Sequence, residues 1–332
     1  MRFSIILPVR NGGHYIKECV ESILRQTVTE FDLRILDNCS TDGTLEWLHT
    51  LADSRIKVYP ADKPLSIEEN WARIVTIPKN EFITLIGHDD ILDPHYLATM
   101  DRLIRQHPDA SLYQTHFRYI DSRGATIRQC KPMDERQSPE EFLSFFLAGI
   151  IDNMGTGYMM RSADYEVAGG IPDYPNLLFA DFELWIRLSL HHYKATAFEE
   201  CFAFRLHQSM TTTSSDLKYQ YAFDRFVGYL ETLQKKEASM QEAIRRYSLL
   251  FLLAYCKGLS HRLLRTPLKK RNGQTVDAFV AGCRSYADRL VPGNDFNPYG
   301  LFSMRLARQI DRFWLTRQLF LLFKKVYRRP VY

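Results

Sequence analysis

No apolar run in the 332 residues reaches the roughly 20 positions that a membrane-spanning helix needs. The opening run, Phe3 to Val9, is too short for a secretory leader and is interrupted by Pro8 and followed by Arg10. Cysteine is scarce. The six, at 19, 39, 130, 201, 256 and 283, have no short paired spacing, which argues against a zinc site or a disulfide framework and leaves reduced thiols in a cytosolic setting as the expectation. The glycine fingerprint of a dinucleotide fold is missing as well, since the first strand is followed only by Asn11-Gly12-Gly13. No Gly-Lys-Ser or Gly-Lys-Thr follows a strand, so an ATPase loop is excluded. Internal repeats and low-complexity segments are absent, and 45% hydrophobic against 25% charged residues is a composition that buries a core.

What is present alternates. Ser4–Val9, Leu33–Leu36, Ile56–Tyr59 and Phe82–Ile86 read as short buried strands, and Ile16, Val20, Ile23 and Leu24 fall at helical spacing after the first of them. Ser66-Ile67-Glu68-Glu69 and Ser138-Pro139-Glu140-Glu141 are capping boxes that start helices, and Asp42 or Thr44 is placed to cap a helix through Leu51. This rhythm predicts an α/β fold with a mostly parallel sheet flanked by helices, its first half ending near residue 107 and its second spanning 108–214. Residues 215–332 read as helical by pattern, with breaks at Gly258, Thr266-Pro267, Gly273 and Pro292–Pro298.

Three polar clusters sit where these strands end: Pro8 to Asn11, Asp37 to Asp42, and His88 to Asp90. In open α/β sheets the carboxyl edge is where ligands bind. Asp89 and Asp90 are adjacent carboxylates, which repel and cost desolvation unless a cation joins them, and a hard divalent ion with oxygen ligands meets that need. A solvated turn with a helix-capping Asp is the other reading of the same residues, with Pro94 opening the next helix. The formal charge of +4 is uneven, since from Leu301 onward eight Lys or Arg face one acid, Asp311. That imbalance points to an anionic partner.

These clusters resemble the family 2 glycosyltransferases, which invert and have the GT-A fold. Leu7-Pro8-Val9-Arg10-Asn11 is similar to the family's opening strand and turn, and Asp37 to Thr44 to its second nucleotide loop. Asn70-Trp71-Ala72-Arg73 resembles the helix before the metal strand, and Gly87-His88-Asp89-Asp90 stands at the place of the Asp-x-Asp motif. Val167-Ala168-Gly169-Gly170-Ile171 with Ala180-Asp181-Phe182-Glu183-Leu184-Trp185 looks like the acceptor-side signature, and Phe204-Arg205-Leu206-His207 like the motif that closes the core. The matches run in family order from about residue 3 to 212. Gly87 and Ala180 depart from it, each standing where an acid is usual.

The resemblance implies a GT-A domain over 1–214, a helical C-terminal region over 215–332, and transfer of a sugar, hexosyl or N-acetylhexosaminyl, from a nucleotide diphosphate donor to a hydroxyl acceptor. UDP is the expected nucleotide, Mn²⁺ or Mg²⁺ the expected cofactor, and a glycan or lipid-linked glycan of a bacterial surface polysaccharide pathway the expected acceptor. Pro8, Val9, Arg10, Asn11, Asp37, Asn38, Asn70, Arg73, His88 and Asp89 would line the donor site. Asp89, Asp90 and His207 would serve the metal, and Asp181 would be the general base. Arg10 and Arg73 are candidates for phosphate or base, and Asp37, which ends its strand, is preferred to Asn38 at the base edge. Tyr174, Phe182 and Trp185 read as packing more readily than as sugar platforms, and Met159-Met160 as core. The basic, amphipathic end of the chain suggests peripheral attachment to an anionic membrane on its inner face; nucleic acid is not expected, and self-association is compatible with the sequence. A catalytically silent nucleotide-sugar-binding subunit and a sugar nucleotidyltransferase share parts of the pattern. The latter would want a glycine-rich basic loop after the first strand.

Overall fold

Every residue from Phe3 to Val9 is buried, and a strand hidden on both sides belongs in the middle of a sheet covered by helices on both faces. The computed structural model describes residues 1–206 and 216–326. In it β1 (Phe3–Val9) pairs in parallel with β2 (Phe31–Asp37) and β4 (Phe82–Leu85), and β2 pairs in parallel with β3 (Ile56–Val58). Helices α1 (Tyr15–Leu24), α2 (Thr44–His49) and α3 (Ile67–Ala72) make the crossovers. The sheet then takes in β5 (Ile91–Leu92), β6 (Leu112–Ile120), β7 (Thr126–Gln129), β8 (Arg136–Gln137), β9 (Tyr158–Arg161) and β10 (Lys194–Arg205), with α4 (Tyr96–Gln106), α5 (Pro139–Leu147), α6 (Ser162–Val167) and α7 (Ala180–Ser189) between them. Among the described residues it has ten strands, in the order β3-β2-β1-β4-β9-β6-β10-β5, with β7 added to β6 and β8 to β10. Strand β9 runs antiparallel to both β4 and β6, so a parallel half is joined to a mixed one. The register sets Val9 beside Asp37 and Ile6 beside Leu85, which brings the carboxyl ends of β1, β2 and β4 to one edge.

Both capping boxes form. Ser66 and Glu69 exchange side-chain and backbone bonds, as do Ser138 and Glu141. Three local expectations are corrected. Pro94 does not open α4: Asp93 Oδ1 accepts the His95 N–H at 2.9 Å in a tight turn, and the helix begins at Tyr96. Helix α2 stops at His49, and its N-cap is Gly43 at φ 89°, while Asp42 bonds the Thr44 N–H from just outside. Gly258 lies within a continuous helix, where one glycine costs only about 1 kcal/mol.

The chain divides into two compact units, Met1–Phe142 with the segment from Ile150 through β10, and Leu143–Gly149 with the helices that follow. The sequence boundary at 214/215 lies outside the described residues. In the first unit Trp185 stacks on Tyr158 with ring centroids 4.5 Å apart and donates its indole N–H to the Met154 carbonyl at 2.9 Å. Trp185, Tyr174, Met159 and Met160 are all fully buried, so they are core. The second unit consists of α8 (Asp216–Lys236), α9 (Ala238–Arg265), α10 (Val276–Leu290), α11 (Phe302–Arg312) and α12 (Trp314–Val326) with the Leu143–Gly149 segment and short 3₁₀ turns. Leu263, Leu264, Phe279, Val280, Met304 and Ile310 form part of its core.

Candidate functional site

The turn after β1 is stitched to the loop after β2. The N–H groups of Asn11, Gly12 and Gly13 donate to Ser40 Oγ, Thr44 Oγ1 and Asp42 Oδ2 at 2.9, 3.0 and 2.9 Å, and Asn11 Oδ1 accepts the Thr41 N–H at 2.8 Å. Two of the three sequence clusters are thus one structure. The same bonds occupy the N–H groups that a phosphate loop would offer, which agrees with the missing fingerprint. Pro8 and Val9 lie buried in β1, and the Val9 carbonyl accepts the Asn38 N–H at 2.9 Å.

Asp37 is buried at the end of β2. Its Oδ2 accepts the Ser40 N–H at 3.2 Å, whereas no donor among the described residues reaches Oδ1. A buried carboxylate oxygen without a donor is costly unless a ligand supplies one. Its neighbours are framework. Asn38 clamps Leu65, donating to its carbonyl at 2.9 Å and accepting its N–H at 2.8 Å. Arg73 donates to the carbonyls of Asp37, Tyr59 and Pro60 and to Asn70 Oδ1, and Asn70 donates to the Leu36 carbonyl. Asn38, Asn70 and Arg73 therefore brace the walls around Asp37, and the bonds of Arg73, a candidate for phosphate or base, go to this framework. Arg10 is exposed, with one bond to the Leu65 carbonyl at 3.3 Å.

The turn after β4 is built on Gly87. A Cβ there would stand 2.6 Å from Asp89 Oδ1 and 3.0 Å from Asp90 Oδ2, so the two carboxylates fold back over the glycine and would have to shift to admit a side chain. His88 and Asp89 remain half-buried. Asp90 is buried, accepting the Thr156 hydroxyl on Oδ2 at 2.6 Å and the Arg205 N–H on Oδ1 at 3.1 Å. Burial, with the Asp89 charge beside it, pushes its carboxyl well above the usual range. Both Asp90 oxygens are engaged inside the protein, so of the two readings, a second ligand or an outer-shell residue, its bonds fit the outer-shell one. Sequence reading placed Arg205 in the closing motif but gave it no role; its buried guanidinium donates to the Asp89 carbonyl at 2.7 Å and to Glu18 at 2.6 Å. Its signal was a lone arginine ending an apolar strand.

The loop Met154-Gly155-Thr156-Gly157 holds Asp90 through Thr156 and faces Asp181 with the residue before it, Gly155. A Cβ on Gly155 would lie 3.5 Å from Asp181 Oδ2. Asp181 is in the first turn of α7, and the N-cap is Phe179 in a left-handed conformation at φ 67°, so Asp181 is not the cap. The residue is half-buried, yet its carboxyl lies deep enough among protein atoms that desolvation, offset in part by the N–H groups of Phe182 and Asp181, pushes it up to about 7. Other acids nearby are committed: Asp152 to Arg128 at 2.7 and 3.1 Å and to the Lys131 N–H, and buried Glu183 to Tyr174 and Arg187.

His207 lies outside the described residues. Among the described residues no three His, Cys, Asp or Glu side chains converge into a metal cage. A small divalent cation is commonly held by one or two carboxylates plus the phosphates of its substrate, and a single rim carboxylate, Asp89, fits that shared kind of site.

The sheet order, the two stitched loops, and the double-Asp turn define a GT-A glycosyltransferase fold with a helical C-terminal extension. Residues 4–166 match the family model for glycosyl transferase family 2, and this part of the chain belongs to that family. It is 26% identical over 123 residues to the glycosyltransferase GlyG of Streptococcus pneumoniae, a match that covers 36% of this chain and 41% of that protein. The chain therefore spans less than half the length of that relative. Among solved structures, S. aureus TarS 1–349 in complex with UDP-GlcNAc superimposes with a TM-score of 0.66 at 16% identity, covering 100% of this chain and 95% of that one. The mannosyltransferase PcManGT from Pyrobaculum calidifontis, in complex with GDP-Man and Mn²⁺, reaches 0.50 at 13% identity over 98% and 88% of the two chains.

Proposed function

We propose that this protein transfers a sugar from a UDP-sugar to a hydroxyl group of a glycan or lipid-linked glycan, with inversion at the anomeric carbon. The observation that carries the reading is the Met154–Gly157 loop, which ties the double-Asp turn through Thr156 and faces Asp181 through Gly155. With a donor seated at the turn and a base beside the loop, an acceptor hydroxyl held by the base would meet the anomeric carbon on the side opposite the departing diphosphate.

Asp37 receives the base in this reading, its unpaired Oδ1 accepting the imide N–H of uracil. Asp181 takes the acceptor hydroxyl proton while that oxygen forms a bond to the anomeric carbon, and the bond to the diphosphate oxygen breaks with its electron pair leaving on the diphosphate. A base with a carboxyl near 7 holds a proton firmly enough to remove one and is still half deprotonated at neutral pH. Asp89 would hold a divalent cation, whose chemistry is to neutralise the charge growing on the departing diphosphate. The nucleotide sugar bound in the TarS structure and the Mn²⁺ in the PcManGT structure support this choice of donor and ion. A bacterial surface polysaccharide or glycolipid pathway on the cytosolic side is the setting the reading implies.

Calorimetry with UDP, GDP, CDP and ADP, each with Mn²⁺ or with EDTA, tests it. UDP is expected to bind tightest, and Asp37→Asn to weaken it roughly tenfold or more, the scale of one charged hydrogen bond. Equal binding of all four nucleotides, or an unchanged Asp37→Asn variant, counts against the assignment.

A further inference from the structure

Helix α12 packs with its faces reversed. An amphipathic helix on a globular protein buries its apolar stripe and shows its charges to water. Here Arg317 is the buried residue, 6% exposed, with its guanidinium donating to the Thr266 carbonyl at 2.8 Å. Phe320, on the same side, packs against the core of the second unit. The stripe spaced four, three and four residues apart points the other way: Leu315, Leu319, Leu322 and Val326 are 63%, 58%, 60% and 82% exposed. Phe313 and Trp314 are exposed where the helix begins. An apolar surface of this extent, left uncovered by its own unit, marks an interaction site.

The charge around it selects the occupant. Between Trp314 and Val326 there are three basic residues and no acid, and with Arg317 turned inward Lys324 and Lys325 are the ones exposed beside the stripe. Asp311, the one acid after Leu301, is consumed internally by Arg271 and the Val276 N–H. A second copy seated face to face would set lysine near lysine without an acid to answer it. An anionic lipid surface supplies both the apolar layer and the counter-charge. A helix of 13 residues is about 20 Å long, too short to cross a bilayer at 1.5 Å per residue, and no helix among the described residues is long and apolar enough to do so. Its geometry is that of a helix lying in the interface plane. Arg317 belongs to the packing of the unit and is not part of the exposed basic edge. Arg328 and Arg329 lie outside the described residues.

We infer that α12 binds the surface of an anionic membrane through Leu315, Leu319, Leu322 and Val326, with Lys324 and Lys325 holding acidic headgroups. The inference does not depend on the proposed reaction. The full chain is to be floated with vesicles of phosphatidylcholine mixed with phosphatidylglycerol and with vesicles of phosphatidylcholine alone, and its mass in solution measured by light scattering. The protein is expected to float with the mixed vesicles only. Leu319→Ser with Leu322→Ser should abolish flotation, and Lys324→Gln with Lys325→Gln should weaken it roughly 30-fold, about fivefold per neutralised charge. Because all four positions are exposed, each variant should melt with the wild type. Equal flotation on both vesicles, no flotation at all, or a dimer that the double serine variant dissociates without any vesicle binding, overturns the inference.

Discussion

Thr156 donates its hydroxyl to Asp90 at 2.6 Å, and both groups are buried. The bond joins a loop after residue 150 to the turn after β4, two segments 66 residues apart in the chain, and so fixes the turn that carries Asp89. Thr156→Val keeps the shape but removes the donor, leaving Asp90 Oδ2 buried and unpaired. The variant is expected to lose about 1–3 kcal/mol of stability in urea denaturation, the cost of an orphaned polar group. A loss under about 0.5 kcal/mol, the range of an ordinary surface change, would show that the turn is held some other way.

Gly87 gives a second test of the same turn. In Gly87→Ala the new methyl group stands where Asp89 Oδ1 and Asp90 Oδ2 now lie, at 2.6 and 3.0 Å, so the carboxylates must move. Displacement by about 1 Å is worth on the order of 10²-fold in rate at a catalytic site. Transfer measured on the best donor should fall by that amount. Full activity in Gly87→Ala would mean that Asp89 is not placed by this turn.

Asp89 is expected to be the protein's hold on a divalent cation. Asp89→Ala should bind UDP equally with Mn²⁺ or EDTA, whereas the wild type should bind it better with the metal, and turnover should drop roughly 10²-fold or more. Calorimetry separates the two proteins directly. A wild type indifferent to EDTA removes the cation from the reading.

Much of this was legible in the sequence because burial and chain entry are local properties. The apolar runs of β1, β2 and β4 could only be central strands, and Ser66 and Ser138 announced their helices through glutamates three residues on. What stayed hidden depends on which backbone group a side chain finds across the fold. Asn38 spans 27 residues to Leu65, Arg73 reaches back to the Asp37 carbonyl, and Arg205 crosses 187 residues to Glu18. Nothing in the sequence separates an arginine that bonds phosphate from one that bonds three carbonyls. Asp89 and Asp90 look alike on paper as well, and only the hydroxyl of Thr156 and the Arg205 N–H turn one inward.

Asp181 as general base gives the sharpest test, because its environment makes a claim about pH. Desolvation raises its carboxyl from the ordinary value of 3.8 to about 7, so the ionised, proton-accepting form is the minority species below that pH. Rate per enzyme should therefore rise with pH and level off above an apparent pKa near 7. Stability runs the other way. Between 3.8 and about 7 the folded chain holds this proton more tightly than the unfolded one, so the contribution of Asp181 is fully present below 3.8, falls across that window and is lost once pH passes about 7. Asn cannot ionise, so Asp181→Asn should melt at least as high as the wild type at alkaline pH. It should bind UDP normally and lose about 10²-fold or more in turnover, with the rise in rate near pH 7 abolished. Since Phe179 is the N-cap, no lost cap complicates the comparison. Near-normal transfer by Asp181→Asn, with the pH profile intact, would send the search to another base, although Asp152 and Glu183 are already tied to Arg128 and Arg187.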